Sequence, residues 1–335
     1  MQLRTIITKV LTVLLIISSR VDTFPVMNLD DRTGVPIAAI YPESPDDAAR
    51  PLFPMSNRTK PELEPTDIPL HILEYNIWNL PGIMTDGHSR ERAQGIANHL
   101  KNRTATPSPY DVIILLEAFR NKDIFLNDPE LLQMYPYRAT LKRQWYTLFD
   151  SGMLILSKFK ILSEEGVHYP RRTHTDFWAA KGLLYLQLQV SDDGKVLDLF
   201  ATHMQSNKRK IDQASRWRQV ELVKQWVQEK TQGSQAVVFC GDLNMGPTAD
   251  YQHLAPFYSD VADAEQRNAA YTDMRDGSGL NESDASESPE DISRVLYKGN
   301  AVVWSEVHLH DWQAPEGGRL SDTSAVEADI ILRYA

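Results

Sequence analysis

The stretch Val237-Val238-Phe239-Cys240-Gly241-Asp242-Leu243-Asn244-Met245 sets four apolar residues against an abrupt polar end. The apolar run reads as a strand buried on both faces. Gly241 permits the backbone to turn where the strand stops. Asp242 and Asn244 are two apart, so in an extended chain their side chains leave the same face. A carboxylate and an amide at the mouth of a buried sheet suit a divalent cation and a phosphate oxygen. The alternative is a strand closed by an ordinary Asn/Asp turn. The stretch alone does not separate the two readings, and the rest of the chain has to.

Outward from this point, strands are expected at Leu70–Asn76, Asp111–Glu117, Met153–Ser157, Leu183–Val190 and Val196–His203, then at Ile292–Tyr297, Ala301–His308 and Ala325–Tyr334. A helix is expected over Arg90–Leu100, with Ala93, Ile96, Ala97 and Leu100 at helical spacing and Ser89 placed to cap it. A longer amphipathic helix is expected over Ile211–Lys230, with Ile211, Ala214, Trp217, Val220, Val223 and Val227 recurring every three or four residues. Residues 273–290 are crowded with Gly, Ser, Asp, Glu and Pro and read as an exposed loop. Many strands and few, separated helices point to a layered α+β domain whose sheets pack face to face.

The chain has 335 residues, 42% hydrophobic and 24% charged, enough for one large domain or two small ones. A net charge of -10 argues against broad non-specific nucleic-acid binding, which needs a basic footprint. It leaves room for an enzyme whose site is neutralised by a metal. Cys240 is the single cysteine, so an internal disulfide is excluded, and its place in the apolar strand suggests a buried thiol.

Arg4 and Lys9 precede the apolar run Val10–Ile17, and Ser18-Ser19 follow, which reads as a signal peptide over residues 1–19 and predicts a secreted protein. An uncleaved anchor is the alternative. Asn57-Arg58-Thr59, Asn102-Arg103-Thr104 and Asn281-Glu282-Ser283 fit the glycosylation sequon and agree with secretion. Residues 20–66, rich in Pro, Asp and Glu, read as a linker or irregular arm, which leaves 67–335 as the folded domain.

Four expected strands end in polar residues: Asn76, Glu117, His203, and the pair Asp242 and Asn244. Each alone is explained by strand ends being wet. Together they can converge on one cleft. Hard oxygen ligands with few nitrogens suit Mg²⁺, which holds one or two carboxylates and keeps waters for a phosphate. A histidine beside such a site can stabilise an oxyanion or move a proton.

Tyr75-Asn76-Ile77-Trp78, Asp111–Glu117 with Ala118-Phe119, Ser151-Gly152-Met153 through Lys158, Thr202-His203-Met204-Gln205, Gly241-Asp242-Leu243-Asn244 and Leu320-Ser321-Asp322 occur in an order and spacing that resembles the endonuclease/exonuclease/phosphatase superfamily, from about Ile68 to Ala335. Within it the chain is most similar to neutral sphingomyelinases. Asp176-Phe177-Trp178-Ala179-Ala180-Lys181-Gly182 resembles their Asp…Lys-Gly segment, and Tyr135-Pro136-Tyr137 and Arg216-Trp217-Arg218-Gln219 also look familial. The resemblance implies a four-layer α/β/β/α sandwich. It implies that Glu117 and Asn76 hold Mg²⁺, with Mn²⁺ as a substitute. Asp242 and Asn244 would orient water and phosphate, His203 would contact phosphate oxygens, and Asp176 and Lys181 would engage substrate. The implied partner is a phospholipid or another phosphodiester, and the implied reaction turns sphingomyelin into ceramide and phosphocholine. A plain Asp–Lys pair in a loop is the alternative for Asp176 and Lys181. Trp145-Tyr146 and Phe177-Trp178 are candidates for peripheral membrane contact, with core packing as the alternative.

The pattern breaks in two places. The family ends its site with Ser-Asp-His, and this chain has Ser321-Asp322-Thr323. That histidine is the family's general base, a task threonine cannot do near neutral pH. The family's Ile-Asp-Arg strand reads Ile292-Ser293-Arg294 here, so the aspartate that orients the histidine is also gone. Asp291, His308 and His310 are the nearest stand-ins. The expectation is therefore a slow sphingomyelinase-type phosphodiesterase, a relative that binds metal or head group without turnover, or an extracellular structural protein that keeps only the fold.

Overall fold

The computed structural model describes residues 60–81, 87–104, 109–207, 209–245, 262–263, 293–315 and 317–335. The expected signal segment, most of the expected 20–66 arm, the expected 273–290 loop, the sequons at Asn57 and Asn281, and Asp291 lie outside the described residues. Among the described residues, twelve strands form two six-stranded sheets. The first contains β1 (Ile68–Asn79), β2 (Val112–Ala118), β3 (Tyr137–Ala139), β4 (Leu154–Ser157), β11 (Val302–His310) and β12 (Ala325–Leu332), in the order β11-β12-β1-β2-β4-β3. The second contains β5 (Lys160–His168), β6 (Gly182–Gln189), β7 (Val196–His203), β8 (Val237–Asp242), β9 (Ala262–Asp263) and β10 (Ser293–Lys298), in the order β5-β6-β7-β8-β10-β9.

Each sheet has one parallel pair near its middle, β1–β2 in the first and β7–β8 in the second. Parallel neighbours need a crossover long enough to return the chain to the same end. Helix α1 (Ser89–Thr104) supplies it for β1–β2, and a second, longer helix, Lys210–Lys230, supplies it for β7–β8. Between α1 and that helix lie two short ones, α2 (Lys122–Leu126) and α3 (Pro129–Met134), so the long helix is α4. The carboxyl ends of the parallel strands bear Asn76, Glu117, His203 and Asp242.

Burial explains the layering. Inward-facing Leu70, Ile72, Ile114, Leu199, Val238 and Val295 fill the space between the sheets. Ala93, Ile96, Ala97 and Leu100 of α1 cover Leu73 and Tyr75 on the outside of the first sheet. Val220, Val223 and Val227 of α4 cover Phe200 and Phe239 on the outside of the second. The result is the α/β/β/α sandwich.

Three local expectations change. Ser89 is the first residue of α1, and its hydroxyl accepts from Asn121 Nδ2 at 3.3 Å. Strands β3 and β5 were not anticipated, because β5 is an edge strand with an exposed, charged surface and no apolar alternation. In α4 the buried stripe over the first two turns is Asp212, Ser215, Arg216 and Gln219, while Ile211, Ala214 and Trp217 are only partly covered. The buried polar stripe has a role at the site.

Candidate active site

Gly241 fixes how β8 ends. Its φ is +150°, and a Cβ there would stand 2.0 Å from Thr202 O of the neighbouring parallel strand. Only glycine lets β7 and β8 approach this closely at their polar ends. His203 then pairs in register with Asp242. Asp242 Oδ2 lies 3.7 Å from His203 Nε2 and 3.4 Å from Asn76 Nδ2, and its Oδ1 accepts from Asn244 N at 2.8 Å. Asn76 comes from the facing sheet, so this contact joins the two sheets at the mouth. Asn244 Nδ2 donates to Met204 O at 3.3 Å, holding the turn after β8 against the one after β7.

Glu117 enters from β2, with Oε1 4.0 Å from His203 Nε2. Glu117, Asn244 and Trp78 all take left-handed backbone angles, with φ of 54°, 52° and 46°. Such angles cost energy in non-glycine residues and persist where the surroundings over-determine them, often at functional sites. Burial, then the neighbouring Asp322 charge, push the Glu117 carboxyl up to about 8, against the opposing effects of Lys181 and Asn76.

Lys181 is buried and bonded on three sides. Its Nζ lies 3.0 Å from His203 Nε2, 3.0 Å from Met204 O and 3.0 Å from Asp176 Oδ1. Burial and then the Lys181 charge hold the His203 ring well below the usual histidine range. His203 is therefore a neutral imidazole near neutral pH, with Nε2 turned to the Lys181 ammonium. Asp176 Oδ2 accepts from Ser206 N at 2.7 Å and from Ser206 Oγ at 2.9 Å. The exposed-loop alternative for Asp176 and Lys181 is thus set aside, since both are buried and tied to His203.

The polar stripe of α4 explains why this loop holds still. Arg216 donates to Gln205 O at 3.0 Å, and Gln219 Oε1 accepts from Gln205 N at 2.9 Å. Gln205 Oε1 in turn accepts from Thr173 N at 2.8 Å, and Thr173 Oγ1 donates to Asp212. Asp212, Arg216 and Gln219 each bond to the segments that carry His203 and Asp176, and buried polar groups bonded in this way help to rigidify a structure.

The two departures sit at the far side of the mouth. Thr323 Oγ1 donates to Asn76 O at 3.1 Å, beside Ser321 Oγ, which donates to the same oxygen at 2.6 Å. Ser293 pairs in register with Asp242, and its Oγ donates to Glu74 Oε1 at 3.5 Å. Glu74 is fully buried one step deeper on β1 than Asn76. Burial, then the Asp242 charge, raise its carboxyl well above the usual range. Its Oε2 has no hydrogen-bond partner among the described residues. His308 and His310 are not near this mouth. They lie on β11 within reach of Glu306 and Glu327, and Glu327 faces Tyr110 and Arg103 on the helix-covered side of the first sheet. They do not replace the missing imidazole.

The donor set fits a hard divalent cation. Glu117, Asp242 and Asp322 bring three carboxyls to one mouth, and Lys181 is the cation set against Glu117 there. Among the described residues no three His, Cys, Asp or Glu side chains converge as a ready metal cage. Such a mouth suits an ion that leans on one or two carboxylates and keeps its waters.

The Endonuclease/Exonuclease/phosphatase family profile matches residues 73–322, which includes Asn76, Glu117, Asp176, Lys181, His203, Asp242 and Asn244. The chain belongs to that family. Among curated proteins, human sphingomyelin phosphodiesterase 2 is 24% identical over 291 residues, which is 79% of this chain and 65% of that protein. A Dictyostelium discoideum sphingomyelinase is 27% identical over 171 residues, 41% of this chain and 37% of that protein. The chain thus spans under two thirds of the length of either relative. Among solved structures, sphingomyelinase C from Streptomyces griseocarneus superposes with a TM-score of 0.64 at 23% identity, covering 78% of this chain and 99% of that one. A beta toxin variant from Staphylococcus aureus, solved with bound magnesium ions, gives 0.63 at 19% identity, covering 77% and 98%. At those identities the superpositions show that the family sandwich is shared.

The structure brings together all seven residues expected at the site: Asn76, Glu117, Asp176, Lys181, His203, Asp242 and Asn244. Sequence reading missed Glu74, which carries no strand-end signal, and Asp212 of α4; it marked Arg216 and Gln219 as part of a familial segment without giving them a place at the site.

Proposed function

We propose that the chain is a secreted, Mg²⁺-dependent phosphodiesterase of sphingomyelinase type that splits sphingomyelin into ceramide and phosphocholine at a reduced rate. The observation that carries this reading is the single mouth formed by Asn76, Glu117, His203, Asp242 and Asn244, with the Lys181–Asp176 pair buried against it. Glu117 and Asn76 would hold the cation, which when bound supplies Lewis-acid and charge-clamp chemistry to a phosphate. Asp242, fixed at both oxygens, and the Asn244 amide would orient water and phosphate. His203, neutral and braced by Lys181, would face the phosphate oxygens. Water adds to phosphorus, the bond to the ceramide oxygen breaks, and the proton passes to that leaving oxygen.

The reduced rate follows from position 323. The Thr323 hydroxyl is spent on Asn76 O, and a missing general base costs about 10²–10⁴-fold. The same hydrogen bond favours a second reading, in which the site binds metal and head group without turnover. Residues 1–19 would be the secretion signal, 20–66 a linker arm and 67–335 the catalytic domain, which N-terminal sequencing of the secreted protein tests. A Mg²⁺ titration of the melting temperature tests the site itself. A rise that Glu117→Ala removes supports it, and no rise in the unmodified protein counts against both readings.

A further inference from the structure

Eight large apolar side chains are exposed among the described residues, and four of them lie in two adjoining segments: Trp145, Tyr146, Leu148 and Phe177. The segments are bound to each other. Phe149 N donates to Trp178 O at 3.0 Å, Ala180 N donates to Asp150 O at 3.0 Å, and Arg172 reaches Gln144 Oε1 at 3.4 Å. They also adjoin the candidate site. Asp176 belongs to the same short turn as Phe177, and Phe149 meets Phe119, two residues after Glu117, edge to face at 6.2 Å.

The turn that displays the aromatics has its own supports. Thr147 is buried, its N and Oγ1 both donate to Gln144 O, at 3.2 and 3.0 Å, and Arg143 donates to Leu148 O at 3.4 Å. Trp145 at its tip is 91% exposed and meets Tyr146 edge to face at 5.5 Å. An indole carried without cover on a braced turn serves no packing purpose among the described residues.

Charge decides the occupant. The chain as a whole is acidic at -10. Around these aromatics the sign reverses: Lys142, Arg143, Arg171 and Arg172 flank them, with Arg209 beside His174. The two acidic side chains of these segments, Asp150 and Asp176, are paired with Lys122 and Lys181. Aromatic rings with a polar edge, ringed by cations, match the boundary of an anionic phospholipid surface.

We infer that the loop carrying Trp145, Tyr146 and Leu148, together with Phe177, is a docking surface that seats the mouth of the site on an anionic phospholipid bilayer. The proposal rests on the phospholipid reading of the site. The test is co-sedimentation with phosphatidylcholine vesicles, with and without phosphatidylserine. The full chain is compared with Trp145→Ala/Leu148→Ser/Phe177→Ala and with Lys142→Glu, folding being checked by melting temperature. Turnover of sphingomyelin dispersed in detergent is measured on the same proteins.

The triple variant is expected to lose about tenfold or more in vesicle binding while its turnover in detergent stays that of the parent. Lys142→Glu is expected to lose several-fold of the preference for phosphatidylserine. Vesicle binding by the triple variant equal to the parent overturns the docking surface. A parent that turns over dispersed substrate yet binds no vesicle overturns it too, and leaves the site reading intact. Patch-dependent vesicle binding without turnover supports the surface and counts against the catalytic reading. Self-association that the triple variant abolishes, without vesicle binding, makes the patch an interface between copies and overturns the lipid assignment.

Discussion

Ser293 Oγ lies 3.5 Å from Glu74 Oε1, across the gap between the two sheets and beside Asp242. A serine on one sheet faces a buried carboxyl on the other at the position where the family keeps its aspartate. Restoring that aspartate by Ser293→Asp would set a new buried carboxylate beside Asp242 and against the Glu74 carboxyl, which burial and the Asp242 charge already hold in its neutral form. The expected result is a loss of about 2 kcal/mol or more, read by urea denaturation. Adding Glu74→Gln should recover little of it, because the raised Glu74 carboxyl carries no charge to remove near neutral pH. Full stability in Ser293→Asp alone would contradict this account of the pair.

Glu117 gives the metal-free protein a pH dependence whose sign is fixed. Its folded carboxyl is raised to about 8 from the ordinary value of 4.5. Between those values the unfolded chain has released the proton and the folded chain keeps it. Stability contributed by this group is therefore complete below about 4.5 and falls as pH rises toward 8, by at most about 1.4 kcal/mol per pH unit. Melting temperatures in chelator should drop across this window, and Glu117→Gln should flatten the drop. Mg²⁺ should flatten it as well by favouring the charged form.

Lys181 is the partner on which both Asp176 and His203 depend. Lys181→Met leaves Asp176 buried and uncompensated, with an expected cost of about 3–5 kcal/mol. Adding Asp176→Asn should return part of it. The same change removes a charge that disfavours the imidazolium, so the His203 ring should titrate at higher pH in the double variant than in the parent. NMR of the ring protons checks this. An unmoved or lowered midpoint would contradict the contact between Lys181 and His203.

Gly241→Ala tests the geometry that joins β7 to β8. The new Cβ would sit 2.0 Å from Thr202 O at a φ of +150°. Relief requires separating the two strands that carry His203 and Asp242. A loss of about 3 kcal/mol or more in chemical denaturation is expected.

The apolar runs of β1, β2, β7 and β8 declared themselves in the sequence because both of their faces are covered, and their polar ends marked the site. Edge strand β5 did not, since its residues are mostly exposed and charged. The first turns of α4 misled for a related reason. Asp212, Arg216 and Gln219 are polar and buried, and apolar periodicity assigns such residues to the solvent face. Their burial depends on partners more than thirty residues away, such as Thr173 and Arg171, or on loop carbonyls, and spacing shows none of these. Glu74 was hidden by its place inside an apolar strand. Only the facing sheet, with Ser293 and Asp242, gives it a chemical setting.

The most direct test of the central claim is hydrolysis of sphingomyelin in mixed micelles with Mg²⁺. It compares the unmodified protein, Glu117→Ala, and Thr323→His/Ser293→Asp. The account predicts slow turnover that Glu117→Ala abolishes and that the restored variant raises by about 10²-fold or more. Turnover in the unmodified protein that the restored variant fails to exceed, or that survives Glu117→Ala, would contradict it.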